Sequence, residues 1–309
     1  MNQLLNSFFL LFVVIGGLSA QEDIIKDSTQ PIANESFIKW ENDFIALGKT
    51  LIKDTIQANR QQAAQDLKKG LQEMLVKKEA FKYPFDSLNT VSILYPADST
   101  FRVFTWQLYE DINTYTYFGI IQTNSDSPVV HVLKDQSNEI EELETDILET
   151  DSWYGALYYN IKEFEGKEGK HYLLFGFDGY EFFNKRKLID VLTFEDGQPI
   201  FGAPVFEPSE PNRPDLTKSR LVLTYGAETT IRLNYDESLN IIIMDNLMPG
   251  GGSLKGQIAM LPDGSYKGYK LDGNRWAYVD KIFDHTYEKA PMPQPILNKR
   301  KGKDIFGNR

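Results

Sequence analysis

The hydrophobic spacing of this chain switches near residue 91 from that of a helix to that of a strand. Before the switch, Phe37, Trp40, Phe44, Leu47 and Leu51 recur at intervals of three and four. Ile38, Ile45 and Ile52 add an adjoining stripe, so a wide apolar face is expected. Asn34 or Ser36 can cap its start. The polar stretch "DTIQANRQQ" interrupts the pattern, and Ala64, Leu67, Leu71, Met74 and Leu75 resume it. Residues 34–82 therefore read as two helices, or as one with a weak middle. Pro84 in "YPFDSL" ends them, because its ring cannot continue the hydrogen-bond ladder. Aromatics at this spacing are expected to face a sheet.

After the switch, about twelve short β-type runs follow, among them "FRVFTWQLY", "TYTYFGIIQT", "HYLLFGF", "KLIDVLTF" and "NIIIM". Turn signals separate them, including "FDGY", "FEDGQP", "LPDG" and "LDGN". Most links are too short for a parallel crossover, which predicts an antiparallel meander. The expected fold is α+β and mainly β, with an N-terminal helical segment ahead of a sandwich, barrel or propeller-like arrangement. No fixed repeat period appears, which weakens the propeller. "PGGGSLKG" (249–256) reads as a flexible loop, since it lacks the spacing of a phosphate cradle. Residues 135–151 are an acidic island in which Ile140, Leu143 and Ile147 predict a short amphipathic helix. Calcium ligation there is disfavoured, because the spacing that gathers carboxylates is missing.

Residues 1–20 have the pattern of a secretory signal, with an apolar run from Phe8 to Ile15 and small residues Ser19 and Ala20 before Gln21. The run is far shorter than the roughly 20 residues of a membrane span. Residues 21–33 then form a flexible start, 83–286 the β-rich domain, and 287–309 a Pro-rich basic tail. The expectation is an exported protein, periplasmic or associated with the outer membrane. It is not a lipoprotein, because the chain has no cysteine. That absence also removes thiol catalysis and cysteine-based metal sites. A net charge of −11 argues against nucleic acid as a partner. The basic tail "NKRKGKDIFGNR" is the exception, and it offers a peripheral surface contact.

The stretch "LPDGSYKGYKLDGNRWAYVDK" (261–281) predicts a hairpin. With Asp272-Gly273 as a two-residue type I′ turn, Tyr269 faces Trp276, Lys270 faces Arg275 and Lys267 faces Tyr278. One face then carries Tyr269, Leu271, Trp276 and Tyr278. These aromatics, with Lys270 and Arg275, are the candidate binding residues, although turn and packing alone also account for the pattern.

Several phrases taken in order resemble a family of exported proteins from Bacteroidota-type Gram-negative bacteria. They include "YPFDSL", "WYGALYYNI", "YLLFGFDG", "KLIDVLTFEDGQPIFG" and "RLNYDESLNIIIMDNL", and the resemblance spans roughly residues 34–284. It implies an envelope protein and brings no substrate or catalytic residue with it.

His131, His171 and His285 show no metal-ligand spacing, so no metal and no cofactor are expected. No G-x-S-x-G elbow occurs. Carboxylates are the enzymatic route left open, and Asp178, Glu181, Asp190 and Asp245 lie at or near strand ends beside aromatics. The leading expectation is a non-enzymatic envelope protein that binds a partner protein or surface component. A glycan-active hydrolase or carbohydrate-binding module is the alternative, and a small-ligand carrier the third. The hydrolase requires two carboxyls across a cleft with a stacking aromatic, and the carrier requires a closed lumen.

Overall fold

The computed structural model describes residues 35–283, apart from 113, 211, 212, 214, 215, 255 and 256. The signal-like segment, Asn34, His285 and the basic tail lie outside the described residues. The helical segment consists of α1 (Glu35–Lys53) and α2 (Gln57–Leu75), followed by a 3-10 turn at Lys78–Lys82. The weak middle is a true break. The Asp54 carboxylate accepts from Ile56 N at 2.8 Å and Asn59 Nδ2 at 3.0 Å, and Arg60 Nη1 donates to Asp54 O at 3.1 Å. Phe37, Phe44 and Leu51 are buried with Leu67, Leu71, Met74 and Leu75, as the first stripe predicts. The second stripe is a correction: Ile38 and Ile52 are 44% and 61% exposed, and only Ile45 packs on the core. The apolar face is narrower because the sheet beneath it meets a single stripe.

Among the described residues fourteen strands follow, every laddered pair antiparallel. The first sheet is a meander of β1 (Ser92–Leu94), β2 (Phe101–Asp111), β3 (Thr114–Thr123) and β4 (Val130–Lys134). The second contains β5 (Leu148–Glu149), β6 (Leu157–Gly166), β7 (Gly169–Asp178), β8 (Asn184–Glu195) and β9 (Gln198–Phe201) in the order β5-β9-β8-β7-β6. Its remaining strand, β10 (Leu221–Gly226), pairs with β8. The third is a meander of β11 (Leu233–Asp236), β12 (Ile241–Leu254), β13 (Gln257–Asp272) and β14 (Arg275–Val279). The sheets do not close into a barrel. β5 and β9 escaped the sequence reading because they are short, and β9 holds Pro199.

Strand alternation stacks these parts into four layers. Phe104, Trp106 and Leu108 of β2 meet the helices, while Phe101 and Val103 meet the second sheet. In that sheet Tyr172, Leu174, Leu188 and Leu192 face back toward the first. Leu173, Phe175, Ile189 and Val191 face forward to Leu233, Ile242 and Met244 of the third. The order is helices, first sheet, second sheet, third sheet. Two middle layers buried on both faces explain why "FRVFTW" and "YLLF" are nearly continuous apolar runs rather than alternating ones.

Three local expectations are corrected. The acidic island forms no α-helix: it has 3-10 turns at Ser137–Glu139 and Thr150–Ser152 and the short β5. Its carbonyls are drawn elsewhere. Glu144 O accepts from Ser219 N and Arg220 N, and Leu143 O from Arg220 Nη1. Ile140 and Leu143 still pack on the core, whereas Ile147 is exposed. Residues 249–254 of the glycine-rich stretch are strand and not free loop, since β12 runs to Leu254, and 255 and 256 lie outside the described residues. The "LPDG" signal bulges β13 instead of reversing it. Gly264 takes φ +86°, and Asp263 accepts from Ser265 N, Ser265 Oγ and Asn246 Nδ2 at 2.7–2.8 Å.

Gly268 sits in mid-strand, where a Cβ would lie 1.9 Å from Ile242 O. Backbone cannot yield as a side chain does. Gly268→Ala is expected to cost about 3 kcal/mol, at the upper end of overpacking penalties. Urea unfolding measures this, and a loss below about 1 kcal/mol would show that β12 and β13 are not held in this register.

Candidate binding site

The 261–281 hairpin forms with its register moved by two residues. Asp272 faces Arg275, Leu271 faces Trp276, Lys270 faces Ala277 and Tyr269 faces Tyr278. The turn is therefore Gly273-Asn274, with Gly273 at φ +60°, where a type II′ turn calls for glycine. A shift of two preserves the faces, so Tyr269, Leu271, Trp276 and Tyr278 do share one. It also replaces the like-charged pair of Lys270 and Arg275 with Asp272 opposite Arg275. Trp276 is core: its backbone N–H donates to Val205 O at 2.8 Å, and its ring packs edge-on against Phe164 and Tyr235. Tyr269 and Tyr278 meet at 75°, which leaves no flat platform. They line a pocket of about 460 Å³ with Leu221, Leu223, Met244 and the Lys218–Glu144 ion pair. Lys270 and Arg275 are exposed, and Arg275 lines a separate pocket with His171 and Thr193.

The four candidate carboxylates do not converge as one site, and their environments differ. Asp190 is fully buried against Arg220, which approaches its Oδ1 through Nη2 at 2.8 Å and Nε at 2.9 Å. Tyr158 Oη donates to its other oxygen at 3.2 Å. Asp245 accepts from Arg232 N at 2.5 Å and ties β12 to the residue before β11. Glu181 occupies the turn after β7, accepting from Asn184 Nδ2 at 3.4 Å. Each serves the fold.

Asp178 ends β7 at the rim of the seam between the first and second sheets. Its Oδ1 accepts from Tyr117 Oη at 3.0 Å and Tyr180 N at 2.8 Å, and its Oδ2 from Tyr154 Oη at 2.5 Å. Arg186 of β8 donates to Tyr154 Oη at 3.0 Å and stacks 3.4 Å over the Tyr180 ring. A second carboxylate, Asp135, accepts from Tyr117 N, Ser137 N, Ser137 Oγ and Gly155 N at 2.5–3.3 Å. These groups line a pocket of about 170 Å³ with Tyr115, Thr114 and Asn138. The sequence reading found Asp178 but neither its tyrosines nor Arg186. The alternating "TYTY" of β3 was the available signal, since it puts Tyr115 and Tyr117 on one face.

Burial pushes the Asp178 carboxyl above its ordinary value of 3.8, and hydrogen bonds from Tyr154, Tyr180 and Tyr117 and the Arg186 charge only partly offset this. Burial likewise raises the Tyr117 and Tyr154 hydroxyls, which stay protonated donors. The folded chain thus keeps a proton that the unfolded chain releases. The contribution of Asp178 to stability is greatest below 3.8 and falls as pH rises toward the raised folded value. Asp178→Asn should remove that fall, as read by urea unfolding at closely spaced pH. Matching pH slopes in the two proteins would contradict the buried carboxyl.

His131 on β4 is buried, and burial depresses its pKa; His171 Nδ1 lies 2.8 Å from Gly169 O. Among the described residues no three His, Asp or Glu side chains are placed to hold a metal ion. Comparison with family models, curated proteins and solved structures returns no match, so the roles of these residues are argued from geometry alone.

Proposed function

We propose that this is a non-enzymatic protein of the cell envelope that binds a surface component through the Asp178 pocket. One observation carries the reading: the carboxylates best placed for catalysis are engaged by donors from the chain itself. Asp190 is matched by Arg220, Asp245 by the Arg232 amide, and Asp178 and Asp135 by three and four donors. Glycan hydrolysis needs two carboxyls that both reach the substrate, and Asp135, the carboxylate that shares the pocket with Asp178, is held by four donors of the chain. The envelope assignment draws on the signal-like segment and the resemblance to exported proteins.

The purified chain should be retained, saturably, by the insoluble envelope fraction of a Gram-negative cell and leave that fraction chemically unchanged. Absence of retention, or release of soluble sugar or peptide, would overturn the proposal. The glycan-hydrolase alternative keeps one supporting observation, because Asp178 and Asp135 share a pocket with Tyr115 and Tyr180.

A further inference from the structure

This inference rests on the binding reading above and names what the pocket holds. We propose that the Asp178 pocket takes one ring of a neutral glycan. Three features of the site converge on that class of ligand.

The first is a donor beside an acceptor. Asp178 Oδ2 accepts a single hydrogen bond, from Tyr154, although a carboxylate oxygen has two lone pairs. Arg186 spends Nε on Thr224 Oγ1 and Nη1 on Tyr154 Oη, leaving Nη2 uncommitted among the described residues. Vicinal hydroxyls, each both donor and acceptor, satisfy such a pair together. The second is charge. Arg186 offsets Asp178, and Asp135 is already satisfied by four donors. The lining carries two carboxylates and one guanidinium, and Lys185 Nζ lies 5.7 Å from the Tyr115 ring, so the charges nearly balance and a neutral polar ring suits the site.

The third is Tyr180. It holds a left-handed backbone at φ +45°, a conformation that costs a tyrosine energy and that glycine would adopt freely. The residue is half-buried and belongs to none of the apolar clusters, so the core gains nothing from this strain. What the strain achieves is position: the Tyr180 N–H is held by Asp178, and Arg186 covers one face of its ring. Strain of this kind collects at functional sites. With Tyr115 also in the lining, the pocket carries two aromatic side chains, the residue type that stacks on the C–H face of a sugar. A volume of about 170 Å³ falls well below the roughly 300–1,000 Å³ of sites for larger ligands, which suits a single ring.

The test is isothermal titration of the whole protein with short neutral gluco-, manno-, galacto- and xylo-oligosaccharides. A sulfated oligosaccharide and spermidine serve as charged comparators. At least one neutral series should bind. Tyr180→Gly should weaken it by at least about tenfold while melting close to wild type, because relief of the strained backbone offsets the lost Arg186 stack. Asp178→Asn should weaken it similarly, and Tyr278→Ala, in a different pocket, should bind as wild type. The inference fails if no neutral sugar binds, if a charged comparator binds better, or if Tyr180→Gly binds unchanged. Loss of sugar binding with envelope retention intact would sink only the glycan assignment. Loss of both would sink the binding reading with it.

Discussion

Replacing Arg220 with Met should cost about 3–5 kcal/mol, the range for a buried charge stripped of its partner. Arg220 and Asp190 are both 0% exposed and lie 2.8 Å apart between the first and second sheets. Arg220 also caps Leu143 O through Nη1 at 2.5 Å, which anchors the acidic island. At roughly 2–4 °C per kcal/mol for a large domain, melting should fall by about 6–20 °C. Most of that loss belongs to the abandoned Asp190 carboxylate. The double variant Arg220→Met with Asp190→Leu should therefore recover much of it, since an apolar pair of similar volume can replace a buried ion pair. Urea unfolding of the four proteins forms the cycle. A single-variant loss under about 1 kcal/mol would mean the pair is solvated and the seam is open there.

The second large effect concerns Arg102, which is buried and has no carboxylate partner among the described residues. It donates to Ala80 O at 2.6 Å, Tyr83 O at 2.8 Å, Tyr95 Oη at 2.7 Å and Gln122 Oε1 at 2.6 Å. The rings of Phe81, Phe85, Tyr95 and Phe104 lie 4.8–5.7 Å from its guanidinium carbon. Burial lowers its pKa, yet a guanidinium stays charged, so neutral acceptors and aromatic faces carry the whole compensation. Arg102→Lys should cost about 3 kcal/mol, because a point ammonium cannot span acceptors set out for a planar fork. Amide exchange should quicken first in residues 75–95, the segment that Arg102 fastens to β2. Uniform quickening across the protein, or none, would contradict that role.

The helices and most strands were legible because their periodicity is local. Phe37 to Leu51 and "TYTYFGIIQT" state their own geometry. The layer order was not legible, since Leu173 and Leu174 are both apolar and nothing in their pattern says which seam each one fills. The hairpin register failed for a related reason. Slipping by two leaves every side chain on the same face, so alternation cannot tell Asp272-Gly273 from Gly273-Asn274 as the turn. The acidic island misled because its apolar spacing was real, while the carbonyls that would close a helix are captured by Ser219 and Arg220, some 75 residues further along the chain. The Asp178 cluster draws on β3, β7, β8 and two loops, and only the stacked sheets bring them together.

The Asp178 pocket either holds a ligand or transforms one. Mass spectrometry of a bound neutral oligosaccharide, after long incubation with a stoichiometric amount of protein, decides this most directly. The prediction is intact sugar together with a protein–sugar complex that Asp178→Asn weakens. Shorter sugars formed by the wild type and not by Asp178→Asn would contradict it and make Asp178 a working acid.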